Sequence, residues 1–190
     1  MRGNDVRDLD LASRESNWQR RGFLEKVFVG SEQCLILNDD DPSGMVWLLW
    51  SMKEAAYKAH QRRFSLTPWL NWKSLTCTLT QRSTSAACGT VAVHGYSYTT
   101  CSAIFPDHIH SVADTSDQLP GGKDLVLRTP SIILKQELLR YLAVKAGVSA
   151  RSLSLKKSSL GIPEITLKGK VFFTGFSLSD HGRFAAFSCR

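Results

Sequence analysis

The 190-residue sequence has no C-x-x-C pair, no apolar run long enough to span a membrane and no apolar N-terminal segment. Its five cysteines, Cys34, Cys77, Cys88, Cys101 and Cys189, are odd in number and scattered, so reduced thiols packed as small apolar residues are expected. The opening residues, MRGNDVRDLDLASRESNWQRR, are polar and mixed in charge, which argues against a signal peptide. A cytoplasmic protein with no membrane partner is therefore expected. A dinucleotide-binding glycine fingerprint and a G-x-S-x-G are also missing, and PGGK at 120–123 lacks the spacing of a phosphate-binding loop. No internal repeat or low-complexity segment is visible.

What the chain does have is positive charge. Lysine and arginine number 24 against 17 acidic residues, a formal net charge of +7, which predicts an anionic partner: nucleic acid, a nucleotide-like cofactor or an acidic protein. The basic residues lie in short clusters, Arg20 with Arg21, Arg62 with Arg63, and Lys156 with Lys157. None forms a tail of the kind that wraps nucleic acid, so no nucleic-acid partner is expected.

The length suits a single domain, residues 1–190, with a core that needs no disulfide or metal staples. A short opening strand is followed by helical patterns, the clearest being PSGMVWLLWSMKEAAYKAHQRR. DDDPSG supplies capping side chains and a proline for the first turn, which predicts a helix from about residue 42 to 62. From about residue 64 to 130 the pattern turns β-rich (SLTCTLTQR, GTVAVHGYSYTTCSAIF, HIHSVADTS), and DQLPGGKD then reads as an exposed loop. PSIILKQELLRYLAVKAG predicts one more helix closed by Gly147, and GIPEITL and VFFTGFSLSDHGRFAAFSC are strand candidates. The order of elements predicts an α+β fold with antiparallel sheet packed on a long helix.

One residue in the long helix needs a reason. Val46, Trp47, Trp50 and Tyr57 fall within about a quarter-turn of one another, and Glu54 projects into the middle of that stripe. A carboxylate there needs a cation, whether Lys58 one turn on, another side chain or a metal. The plainest account is an i,i+4 pair with Lys58 on a solvated face, worth about 0.2–0.5 kcal/mol. DHIH at 107–110 offers two histidines at i,i+2, but no further ligand at usable spacing for zinc.

The pattern W-S-x-K-E-A-x-x-K, residues 50–58, resembles a signature of the 4'-phosphopantetheinyl transferases. GNDVRDL at 3–9 is similar to that family's opening strand, and FLEKVFVGSEQ at 23–33 to its intervening segment. GIP at 161–163 and FSLSDHGRFAAFS at 176–188 resemble its G-[KR]-P and S-x-S-H strands. The resemblance is to the single-repeat type related to holo-acyl-carrier-protein synthase, with residues 64–130 as a β-rich insertion.

The resemblance implies transfer of the 4'-phosphopantetheine arm of coenzyme A to a serine of an acyl or peptidyl carrier protein, releasing adenosine 3',5'-bisphosphate. It makes Asp5 and Glu54 the ligands of Mg2+, and Glu54 and Lys58 the catalytic pair. Lys53, Lys58, Ser179 and His181 become contacts to coenzyme A, and Arg14, Arg20 and Arg21 the docking surface for an acidic carrier. A binding module of the same fold that has lost transfer is the alternative. Two departures stand out. Arg7 removes a third carboxylate, with water expected in its place, and Asp180 holds the usual histidine position with His181 one place later. Single-repeat relatives build each site between neighbouring subunits, so a homo-oligomer is expected unless the insertion covers the edge a neighbour would occupy.

Overall fold

A computed structural model describes residues 1–68, 70–115 and 122–189 of the chain. Strand β1 (Gly3–Asp8) leads through three short helices, α1 (Leu9–Glu15), α2 (Phe23–Val27) and α3 (Gly30–Leu37), to the long α4 (Pro42–Phe64). The Asp41 side chain accepts from the Gly44 amide at 2.9 Å, Pro42 opens the first turn, and Ser65 in the left-handed region ends the helix. Four antiparallel strands follow: β2 (Leu75–Arg82), β3 (Ala86–Val93), β4 (Tyr96–Ile104) and β5 (His108–Asp114). The β3–β4 turn is His94-Gly95, with φ of 46° and 82°, the paired positive angles of a two-residue hairpin.

The loop expected at 117–124 lies partly outside the described residues, and so does most of PGGK. Its last two residues instead open β6 (Lys123–Leu127), a strand that the sequence pattern did not predict. Helix α5 (Ser131–Ala146) then ends at Gly147, φ 65°. Strands β7 (Leu153–Lys157), β8 (Pro163–Leu167), β9 (Lys170–Phe173), β10 (Phe176–His181) and β11 (Phe184–Cys189) complete the chain.

The strands form three antiparallel sheets, ordered β1-β5-β4-β3-β2, β10-β11-β6 and β7-β8-β9. Segment 64–130 is thus divided. Strands β2 to β5 extend the sheet begun by β1, while β6 joins the C-terminal one. A repeat absent from the sequence pattern also emerges. In each half a first strand is followed by its longest helix and then by hairpins, and it pairs antiparallel with the last strand of its half, which pairs with the strand before it. The two series are β1-β5-β4 with α4 and β6-β11-β10 with α5. The sequence carries one copy of the family's signature motifs, and the strand pairings repeat one connectivity in the two halves.

Each half has its own core. Val46, Trp47, Leu49, Met52 and Ala56 of α4 share one buried cluster with Leu75, Val91, Tyr98 and Ile109. Leu134, Leu138 and Leu142 of α5 share another with Ile165, Phe176, Ala185 and Phe187. No helix among the described residues is long and apolar enough to cross a membrane.

Strand β1 joins the halves. On one face, a Cβ at Gly3 would overlap the Ala55 carbonyl oxygen and lie 2.6 Å from the Ala59 nitrogen, so only glycine lets the strand lie this close to α4. On the other, Val6 packs with Phe184 and Ala186. Gly3→Ala is therefore expected to cost about 1–3 kcal/mol of stability by overpacking, read as a lower urea midpoint. An unchanged midpoint would mean that the strand and helix have room to spare.

Candidate active site between β1 and α4

Period-two alternation in GNDVRD sends Gly3, Asp5 and Arg7 toward α4, and Asn4, Val6 and Asp8 toward the C-terminal hairpin. On α4, Trp47, Trp50, Glu54 and Lys58 recur at helical spacing and meet the first set. The Lys58 ammonium lies 3.0 Å from Asp5 Oδ1 and also donates to the Asn4 carbonyl at 3.0 Å. It does not pair with Glu54, so the plain i,i+4 account of that glutamate fails.

Among the described residues, Glu54 has no hydrogen bond or ion pair. Burial pushes its carboxyl above the ordinary glutamate range and Asp5 adds to the rise, while Lys58 and Arg7 oppose it. The second oxygen of Asp5, Oδ2, is buried with no partner. Two carboxylates with unused oxygens, one on a strand and one on a helix, are the kind of set that holds a hard divalent cation such as Mg2+. Among the described residues no cluster of three or more His, Cys, Asp or Glu side chains supports a metal, so an ion held here would take its other ligands from phosphate oxygens and water. On these terms the residues fit the ion.

Arg7 follows Asp5 on the same face of β1. Its guanidinium carbon lies 5.0 Å from the Trp47 ring centre and 5.2 Å from that of Trp50. Trp50 in turn packs on Trp72, ring centres 3.9 Å apart. Burial lowers the Arg7 pKa, opposed by the charges of Asp5, Glu54 and Glu15.

Lys53, expected at coenzyme A, points elsewhere. It is fully buried, 2.7 Å from Glu32 Oε2, and donates to the carbonyls of Val27 at 2.9 Å and Trp72 at 3.3 Å. Glu32 also accepts from the amides of Cys77 at 2.6 Å and Val29 at 2.9 Å. This pair fastens α2 and α3 to α4. Deleting one partner of such a pair costs about 3–5 kcal/mol, which makes Lys53 a structural residue.

Strand β10 closes the free edge of β1 with side chains instead of a ladder. Ser177 Oγ accepts from the Asn4 amide at 2.9 Å, Ser179 Oγ from Asn4 Nδ2 at 3.1 Å, and His181 Nδ1 from the Asp8 amide at 3.0 Å. Because Nδ1 is the acceptor, the neutral ring carries its proton on Nε2, which lies 3.4 Å from Glu15 Oε2. Burial, first, and Arg7 lower the His181 pKa, so the ring tends to the neutral form. The one-place shift thus turns His181 inward, on the same side as Ser177 and Ser179, and leaves Asp180 exposed.

Asp8 is buried beneath Arg183, which donates to it from Nε at 2.8 Å, Nη2 at 2.7 Å and the backbone amide at 2.9 Å. These bonds hold its carboxyl far below the usual range. The close approach needs Gly182, whose Cβ would lie 2.5 Å from Asp8 Oδ2. Sequence reasoning gave roles to none of Asn4, Asp8 and Arg183. The alternation within GNDVRD was a signal for the first two, but nothing local marked Arg183.

Arg14, Arg20 and Arg21 are exposed near the start of β1's following loop and helices. Arg14 pairs with Asp10 at 2.6 Å, and the Arg20 guanidinium lies over Phe23. The two histidines of DHIH separate: His108 stacks between Phe105 and Phe184, and His110 is buried beside Asn4 Nδ2 at 3.3 Å. Burial lowers the His110 pKa to about 4.

A sequence model of the 4'-phosphopantetheinyl transferase superfamily matches residues 2–113. The match takes in β1, all of α4 and strands β2 to β4, with nearly all of β5. No curated protein matches the chain.

A cation bound by Glu54 must displace the proton that burial favours. Mg2+ affinity measured by calorimetry is therefore expected to fall as pH drops through a midpoint above the ordinary glutamate value, and Glu54→Gln should remove that dependence. A wild-type affinity that stays level down to the ordinary glutamate range would contradict the assignment.

Proposed function

The chain belongs to the 4'-phosphopantetheinyl transferase superfamily, and on that premise we propose that it moves the 4'-phosphopantetheine arm of coenzyme A onto a serine of an acyl or peptidyl carrier protein. The observation that carries this reading is the meeting of Asp5, Glu54 and Lys58 across β1 and α4, with unused oxygens on both carboxylates. Asp5 and Glu54 would hold Mg2+, which supplies charge neutralisation and polarises the phosphate oxygens.

The chain's own groups do the rest. The serine Oγ attacks the phosphorus that bears pantetheine, and the bond from that phosphorus to the bridging oxygen breaks. That oxygen leaves with the electron pair as part of adenosine 3',5'-bisphosphate. Lys58, already next to Asp5 and only a quarter exposed, is a point charge suited to the negative charge that moves onto the leaving group. The serine proton passes to Glu54 or to a water.

The relation to a neighbouring subunit changes in this reading. The hairpin containing Ser179 and His181 packs on β1 of its own chain. A site complete in one chain follows, with Arg14, Arg20 and Arg21 as an exposed rim for an acidic carrier.

Intact-mass spectrometry of an apo carrier protein incubated with coenzyme A and Mg2+ is expected to show the added arm. Asp5→Ala and Glu54→Ala should each lower the rate by at least about a hundredfold while the protein stays folded, and Lys58→Ala by a similar factor without loss of Mg2+ binding. Coenzyme A binding with no added mass on a range of carriers would instead identify a binding module. Near-normal rates in both carboxylate variants would reject the metal assignment.

A further inference from the structure

Arg7 is the charged group near the site to which the reaction above gives no part. It lies two residues beyond Asp5 on the same face of β1, half-buried, with its guanidinium packed on Trp47 and Trp50. Its Nε is buried and has no hydrogen-bond partner. Among the described residues Arg7 makes no hydrogen bond or ion pair at all, although Asp5, Glu54 and Glu15 are close enough to act on it electrostatically. A guanidinium withdrawn from water without an acceptor is costly, and the fork of N–H donors it presents matches phosphate oxygens in pairs.

Its surroundings hold it ready for such a contact. The two indoles restrict the side chain, and Trp50 is itself held by Trp72 and Phe23. Lys58, the other cation of the site, is bonded to Asp5 and to the Asn4 carbonyl, so it is only partly available to an incoming anion. Arg7 lacks such a commitment.

We propose that Arg7 is a phosphate-binding residue, its guanidinium taking pyrophosphate oxygens of coenzyme A beside Asp5 and Glu54. This rests on the reading of the site as one for coenzyme A and adds a residue to it. A fixed protein cation lies on the same face of β1 as Asp5. Part of the pyrophosphate charge is then met by the chain itself, and some pyrophosphate affinity persists without a divalent ion.

The test is titration of the full-length protein with inorganic pyrophosphate in excess EDTA, followed by calorimetry and by the fluorescence of the tryptophans beside Arg7. Wild-type protein is expected to bind, and Arg7→Gln to bind at least about tenfold more weakly. Arg7→Lys, which keeps the charge but loses the fork, is the second variant should glutamine destabilise the indole packing; it is expected to bind about threefold more weakly or worse. Unchanged affinity in either folded variant overturns the proposal, as does failure of the wild-type protein to bind pyrophosphate in EDTA. An Arg7 that serves only to pack the indoles would lower the melting temperature and leave the affinity alone. The transfer reaction is judged separately. Arg7-dependent pyrophosphate binding without transfer to any carrier would keep this inference and reject the transferase reading, whereas transfer with Arg7-independent binding would do the reverse.

Discussion

Strand β1 is packed on both faces and covered along its free edge, and the site exists because of it. Toward α4 the missing side chain of Gly3 allows a close approach that brings Asp5 to Lys58. Toward the hairpin, Asn4 and Asp8 bind Ser177, Ser179, His181 and Arg183. The edge amides of Asn4 and Asp8 go to a hydroxyl and an imidazole, so β1 offers no unpaired edge there to another chain. The strand thereby packs on α4 with one face and on β11 with the other.

Charge is distributed around this strand unevenly. Asp8 with Arg183, and Glu32 with Lys53, are closed pairs whose donors and acceptors face protein. At Asp5, Glu54 and Arg7 the pairing is incomplete: one carboxylate oxygen is buried and unpartnered, one carboxyl is pushed toward its protonated form, and one guanidinium has no acceptor. Incomplete pairing of buried groups costs folding free energy, and ligand binding would recover it. The contrast sets the closed structural pairs apart from the open cluster that the proposed site draws on.

The sequence revealed features whose cause is local. Asp41 and Pro42 marked the start of α4, and Gly147 the end of α5, because caps act within a turn. Asp5, Glu54 and Lys58 were singled out through family resemblance, and the structure brings Asp5 and Lys58 into contact. Lys53, placed at coenzyme A by the resemblance, adjoins Glu54 in the chain but does not share its direction. Adjacent residues on a helix point about 100° apart, and this one turns to Glu32 instead. Strand β6 was hidden because five residues after a glycine pair look like loop, and its pairing partner lies some sixty residues later in β11. The repeated connectivity was invisible for a related reason: it is a pattern of pairings between distant strands, and a reading by periodicity detects only near neighbours.

In the proposed function one chain supplies the whole site. Carrier modification followed by mass spectrometry across a dilution series, with light scattering on the same samples, tests it most directly. Activity per chain that stays constant where scattering reports monomer is the predicted result. Activity that falls in step with dissociation of an oligomer would contradict it.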